Sequence, residues 1–256
     1  MSGSAIYPSL KGKRVVVTGG GSGIGAGLVE GFVRQGAQVV FLDVAQDDST
    51  ALVAKLTETY PDAPAPIFLA CDLTDIDALK ACFSKIADDV GPVEVLVNNA
   101  GNDDRHTLAD VTPQYWDQRM AVNLRHMLFC TQAVAPGMKA AGAGVVINFG
   151  SISWHLGLPD LVLYETAKAG IEGMTRARAR ELGGDGIRVT CVVPGNVKTP
   201  RQMKWYTPEG EQEIVDAQCL KGRIEPAHVA GLVLFLASDD ASLCTGHPYW
   251  IDAGWR

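Results

Sequence analysis

Nowhere in its 256 residues does the chain hold the roughly 20 consecutive apolar residues of a membrane-spanning helix. No membrane association is expected. Runs of lysine and arginine are equally missing, and a formal charge of −7 makes the chain a poor partner for a polyanion, which argues against nucleic acid. The segment from Met1 to Pro8 has neither the charged start nor the apolar block of a secretory signal, so a cytoplasmic protein is expected. The six cysteines (Cys71, Cys82, Cys130, Cys191, Cys219, Cys244) show no paired spacing of a metal site, and several fall inside apolar runs. They read as buried reduced thiols, with no metal expected. Internal repeats, low-complexity tracts and linkers are also lacking.

With 47% hydrophobic and 20% charged residues, the chain can bury a sizeable core as one α/β domain over 1–256. Short apolar runs that suit strands covered on both faces occur at 14–18, 38–42, 67–70, 93–97, 144–148 and 187–193, with a last strand at 249–252. Longer segments of helical pattern lie between them, at 24–35, 49–59, 75–89, 113–140 and 162–182. Thr74 and Thr112 stand where helix N-caps belong, and Pro113 occupies a first-turn position. Strands alternating with helices predict a doubly wound parallel sheet, Rossmann-like, of about seven strands with helices on both faces. The stretch 196–222 breaks the rhythm, carries Pro200 and Pro208, and is expected to form a substrate lid.

The first strand runs into Thr18-Gly-Gly-Gly-Ser-Gly-Ile-Gly25. Glycines at 19, 23 and 25 permit a tight turn and close approach of backbone to a ligand, and the helix that opens there aims its free N–H groups at a pyrophosphate. Asp43 follows about 20 residues later, at the end of the second strand, where a carboxylate accepts hydrogen bonds from an adenosine ribose and repels a 2′-phosphate. Ser22 stands where a basic residue would favour that phosphate. NAD is therefore expected over NADP. Downstream, Tyr164 and Lys168 lie four apart and share a helix face, so the ammonium is expected to lower the phenol's pKa from about 10 and make it a base near neutral pH. Ser151, thirteen residues before the tyrosine, is placed to hydrogen-bond the same oxygen. Polar residues at 71–75 and 98–101 end the third and fourth strands, the sheet edge at which open α/β proteins bind ligands.

In the 18–25 loop, Asp43, Asp72, the 98–101 stretch, Asn123, Ser151, Tyr164, Lys168 and the segment Pro194-Gly195-Asn-Val-Lys-Thr199, the chain resembles the short-chain dehydrogenase/reductase family along essentially its full length. Further stretches at 102–106, 123–130, 148–157, 204–210 and 246–256 resemble the branch of that family that oxidises aldoses at C1 with NAD, D-xylose being the aldose implied. The resemblance implies Tyr164 as general base, Lys168 as the group that depresses its pKa and holds the nicotinamide ribose, and Ser151 as the group that orients the substrate hydroxyl. It implies that Asn123 holds a water on a proton path. Around the cofactor it implies Gly19, Ser22, Gly23, Ile24, Gly25 and Asp43, with Asp72, Leu73, Asn99 and Gly101 towards the adenosine. Pro194, Gly195, Val197 and Thr199, together with Tyr164 and Lys168, would lie at the nicotinamide end.

For a small-molecule sugar, the candidate contacts are Asn102, Trp154 and Asn196 beside Ser151 and Tyr164. Asp103, Ser153, His155, Gln202, Trp205 and Tyr206 are further polar or aromatic candidates. Asp104, Arg105 and His106 are open to two readings, sugar binding or pairing with one another and with a subunit contact. His126, His228 and His247 lack ligand spacing and read as structural. By the same resemblance the helices at 112–140 and 162–182 build a subunit interface, and a homotetramer is expected. Two other functions stay open: an NAD-dependent dehydrogenase of another sugar or secondary alcohol (L-arabinose, a polyol, a hydroxysteroid), and a non-catalytic NAD-binding protein.

Overall fold

The computed structural model describes residues 5–204 and 206–255; Trp205, a candidate sugar contact, lies outside the described residues. Among the described residues seven strands, β1 (Arg14–Thr18), β2 (Gln38–Asp43), β3 (Ile67–Ala70), β4 (Val95–Asn98), β5 (Gly144–Phe149), β6 (Ile187–Pro194) and β7 (Pro248–Ile251), form one parallel sheet in the order 3-2-1-4-5-6-7. The order reverses between β1 and β4, which leaves a crevice at their carboxyl ends. This is the expected doubly wound Rossmann-like sheet.

Period-two alternation along the strands feeds two cores. Val15, Val17, Val39 and Phe41 pack with Leu28 and Phe32 of α1 (Gly23–Arg34) and with Val229 and Val233 of α9 (Pro226–Ala237). On the other face Val16, Val40 and Leu42 meet Leu79 and Phe83 of α3 (Ile76–Asp89), Cys130 and Val134 of α5 (His126–Ala141), and Leu182 of α7 (Val162–Leu182). Each such buried side chain contributes about 1.5–3 kcal/mol through its removal from water. All of β5 is buried, which is why Val145, Val146 and Ile147 read as an apolar run without alternation.

Several boundaries differ from the sequence reading. β4 starts at Val95 rather than 93, and β5 and β6 each extend one residue further, to Phe149 and Pro194. The helix expected at 113–140 is two helices, α4 (Pro113–Met120) and α5, joined by a π-helical turn over Ala121–Arg125. Thr112 caps α4 by accepting from the Tyr115 N–H, as expected. Thr74 does not cap α3: Asp75 does, accepting from the N–H groups of Asp77 and Ala78. In turn, Thr74 gives its hydroxyl and N–H to Asp72. Helix α9 was not foreseen, because it is apolar nearly all round and has no amphipathic rhythm to read. Within 196–222 lie a short 3₁₀ turn at Gln202–Lys204 and α8 (Pro208–Ala217), which Thr207 caps. The remaining helices are α2 (Gln46–Thr59) and the short α6 (Ser153–Leu156). Among the described residues, no helix is long and apolar enough to cross a membrane.

Candidate active site

A cleft of about 480 Å³ opens along the carboxyl ends of β1, β2, β4, β5 and β6. At one end the β1–α1 turn is built from backbone alone. Gly19 has φ +65°, and a Cβ there would stand 2.8 Å from the Ala100 Cα; a Cβ on Gly25 would stand 1.8 Å from the Gly19 carbonyl oxygen. No side chain fits at either position, so strand, turn and helix N-terminus pack closely enough for N–H groups to face the cleft. Asp43 accepts from the Gly21 N–H at 2.8 Å and the Ala45 N–H at 3.0 Å, which fixes its carboxylate at the wall. Asn99 crosses the strand reversal and donates its amide to the carbonyls of Thr18 and Gly19. Its amide nitrogen therefore braces the turn.

At the end of β5, Lys168 is buried and donates to the Phe149 carbonyl at 2.8 Å, with its ammonium 5.3 Å from the centre of the Tyr164 ring. Burial pulls the Lys168 ammonium down to about 8. Tyr164 departs from expectation: burial, and next the Asp103 charge, push its phenol well above the ordinary value, opposed by a hydrogen bond with Ser151 and by the Arg201 charge. The lowering expected from Lys168 is not seen in this arrangement: burial has the lysine losing its proton at about 8, before the phenol ionises, so its charge is not among the influences on Tyr164. Ser151 Oγ also meets the Ser153 N–H at 3.2 Å and the Ser153 hydroxyl at 3.0 Å.

Asn123 lies in the π-helical turn and is fully buried, outside the cleft lining. Its Oδ1 accepts from the Asn102 N–H at 2.7 Å and its Nδ2 donates to the Asn102 carbonyl at 3.0 Å. Its side chain is thus engaged with the loop after β4. His126, next to this turn, is also fully buried; burial first and the Lys168 charge second hold its imidazole down to about 4.

All sixteen residues expected at the cofactor, from Gly19 to Thr199, line this one cleft, as do Ser151, Asn102 and Asn196. Trp154 does not. Its indole turns away and donates to Glu172 Oε1 at 2.9 Å, an acceptor eighteen residues along that the sequence did not single out. Asn102 and Asn196 reach the cleft with much of their polarity already used. Asn102 Oδ1 accepts from the Asp104 N–H, Arg119 and Arg201, and Asn196 donates to the Tyr206 hydroxyl and accepts from Arg223. His106 is a buried brace for the start of α7, where its Nε2 lies 3.3 Å from the Leu163 N–H. His228 takes the Glu225 N–H at the start of α9 and is structural, as read.

Sequence reasoning missed Arg201 and the leucines at 156, 158 and 161. Arg201 pairs with Asp103 at 3.2 Å and Asp104 at 2.6 Å, and Gln202 donates to Asp103 at 2.7 Å, so residues of 196–222 are tied across the cleft to the loop after β4. Leu156, Leu158 and Leu161 add apolar surface to the lining of the same cleft. No local periodicity announces either feature; both arise from segments that meet only in the fold.

A parallel sheet with a glycine turn at its switch point, and a serine, tyrosine and lysine gathered beside it, defines a nicotinamide-dependent oxidoreductase. The chain belongs to the short-chain dehydrogenase/reductase family: residues 19–256 match the family described as Enoyl-(Acyl carrier protein) reductase. It is 75% identical over 253 residues to D-xylose 1-dehydrogenase of Caulobacter vibrioides, covering 99% of both chains. It is 44% identical over 252 residues to the probable galactose dehydrogenase GalD of Rhizobium meliloti, covering 98% of both. Among solved structures, the 3-oxoacyl-[acyl-carrier protein] reductase from Brucella melitensis superposes with a TM-score of 0.89 at 30% identity, over 97% of this chain and 93% of that one.

Proposed function

We propose that the protein oxidises an aldose at its anomeric carbon, with D-xylose as substrate, NAD as cofactor and a xylonolactone as product. The observation that carries this reading is the hydrogen-bonded Ser151 and Tyr164 in a cleft that the polar side chains of Asn102, Asp103, Asn196 and Gln202 also line. The likeness to a D-xylose 1-dehydrogenase over the whole chain supports the choice of sugar.

The cleft fits a dinucleotide: a turn with no room for a side chain at Gly19 or Gly25, a helix N-terminus, and Asp43 placed for a ribose diol. Asp43 and the neutral Ser22 favour NAD over NADP. When bound, the nicotinamide accepts the hydride that leaves C1. The chain supplies the rest. Ser151 orients the C1 hydroxyl; Tyr164, held as a phenol by burial, gives its own proton towards Lys168 as its Oη takes the proton of the C1 hydroxyl, and Lys168, with a pKa near 8, can pass that proton onward at working pH. Asn123 shapes this proton path by holding the loop that begins at Asn102. Residues 196–222 act as the lid of a single domain, latched through Arg201 and Gln202. Leu156, Leu158 and Leu161 receive the apolar face of the sugar, while Trp154, a candidate contact, lies outside the cleft lining.

Exposed apolar side chains at Leu108, Trp116, Leu128 and Val162, on or beside α4, α5 and α7, support assembly as a homotetramer. A cytoplasmic location accords with a substrate and cofactor of this kind.

The test is NADH formation with a panel of aldoses, polyols and hydroxysteroids, supplied with NAD⁺ and NADP⁺ separately. Turnover of D-xylose above the other alcohols is expected; no signal with any aldose would overturn the reading.

A further inference from the structure

The turn that follows Ser151 is held from outside the cleft. Glu172 Oε1 receives the indole N–H of Trp154 and the Nε2 of His155, both at 2.9 Å. Its side chain is 17% exposed, so these contacts are largely shielded from water. His155 is also sandwiched between rings, 3.6 Å from the centre of Trp154 and 4.3 Å from that of Trp250 in β7. Glu172 lies one turn beyond Lys168 on α7 and two turns beyond Tyr164, on the same side of the helix. A single carboxylate on the helix that carries the tyrosine and lysine therefore grips α6. The adjacent residue of α6, Ser153, touches Ser151 Oγ through both its N–H and its hydroxyl.

We infer that Glu172 is a positioning residue for Ser151: through Trp154 and His155 it fixes the α6 turn against α7, and so sets the Ser151 hydroxyl relative to Tyr164. It touches neither the cleft nor the reacting atoms, and it acts through Ser153. This rests on the role proposed for Ser151 in alcohol oxidation, but not on which alcohol is used. It also accounts for the tryptophan and histidine in a segment where sugar contact was expected.

The experiment is a double-mutant cycle of Glu172→Ala with Ser151→Ala, with Glu172→Gln as the conservative variant, on whichever alcohol the wild type turns over. Glu172→Ala is expected to lower kcat roughly 10- to 100-fold while leaving the KM for NAD⁺ within about twofold, the cost of a misplaced catalytic group. Glu172→Gln keeps an acceptor oxygen and is expected to recover most of the rate. In the Ser151→Ala background the further loss from Glu172→Ala should be under about twofold, since the two act as one unit. Multiplicative losses in the double variant would overturn the inference, as would a lowered Tm with kcat unchanged. Should Glu172→Ala fail to fold, Trp154→Phe, which keeps the ring but removes the donor, takes its place in the cycle under the same criteria. A readout independent of activity is exchange of the Trp154 indole proton, identified as the resonance lost in Trp154→Phe. Slow exchange in the wild type and fast exchange in Glu172→Ala are expected; equal rates would overturn the inference even if no aldose is oxidised.

Discussion

Lys168 donates to the carbonyl of Phe149 at 2.8 Å, so the ammonium that faces Tyr164 is anchored to the end of β5 and shielded from bulk water. That anchoring ties the helix of the tyrosine to the strand that delivers Ser151. It also costs stability, because a buried ammonium loses its hydration.

The cost has a pH signature. Lys168 titrates near 8 in the folded chain against 10.5 as its ordinary value, so between these values the unfolded chain holds more protons than the folded one. Stability from this group therefore rises with pH across that window, and the penalty is full below about pH 8. Comparing denaturant unfolding of the wild type and Lys168→Met from pH 7 to 10.5, the wild type should gain about 3 kcal/mol on the variant. Parallel profiles would show that the lysine is not held in this state.

Removing the phenol oxygen should remove the chemistry and leave the cleft. For Tyr164→Phe, kcat is expected to fall by about 10²–10⁴, the usual contribution of a positioned base. NADH binding, followed by fluorescence, should change little. Substantial residual turnover would eliminate Tyr164 as the base.

Asp43 faces the cleft and also holds the Gly21 N–H, so its loss should act on both preference and affinity. Asp43→Ser is expected to cut the NAD⁺ over NADP⁺ ratio of kcat/KM by at least about tenfold, since a repelling carboxylate is gone. Steady-state kinetics with each cofactor measures this, and an unchanged ratio would assign the discrimination elsewhere.

At Gly25 the steric margin is negative. An added Cβ would stand 1.8 Å from the Gly19 oxygen, so Gly25→Ala must displace the turn itself. A destabilisation of about 1–3 kcal/mol is expected from overpacking, with dinucleotide affinity lost along with it. Thermal melts with and without NADH separate the two effects.

Arg201 is half-exposed, which limits its worth to folding. Arg201→Ala should change global stability by no more than about 1 kcal/mol. It should nonetheless raise the sugar KM and speed hydrogen exchange across 196–222, because that segment loses its bonds to Asn102, Asp103 and Asp104. Unchanged exchange there would mean that the latch is not what holds the segment.

Features set by short-range spacing were legible from the residues: the glycine turn, Asp43 at the end of β2, and Tyr164 with Lys168 one turn on. Their geometry follows from strand and helix periods alone. What escaped depends on distant partners. Trp154 looked like a sugar contact because it follows Ser151, yet its direction is decided by Glu172 and the rings of His155 and Trp250. Asn102 and Asn196 looked available because their amides are polar, yet arginines from other segments already occupy them. The phenol's upward shift was invisible too, since spacing gives the distance to a lysine but not the hydration both groups lose.

The π-helical turn at Ala121–Arg125 sets two helices out of phase by one residue. Delete one residue within it and the ladder can close as ordinary α-helix with the residues beyond keeping their faces, because the wide turn already absorbs the extra residue. Met127, Cys130, Val134 and Met138 would stay in the core, and what would be lost is the wide turn from which Asn123 reaches the Asn102 backbone. Chain length across 121–125 is therefore held by the loop at Asn102 and not by the packing of α5. Relatives that gain and lose residues freely in the flanking loops should keep the same count here.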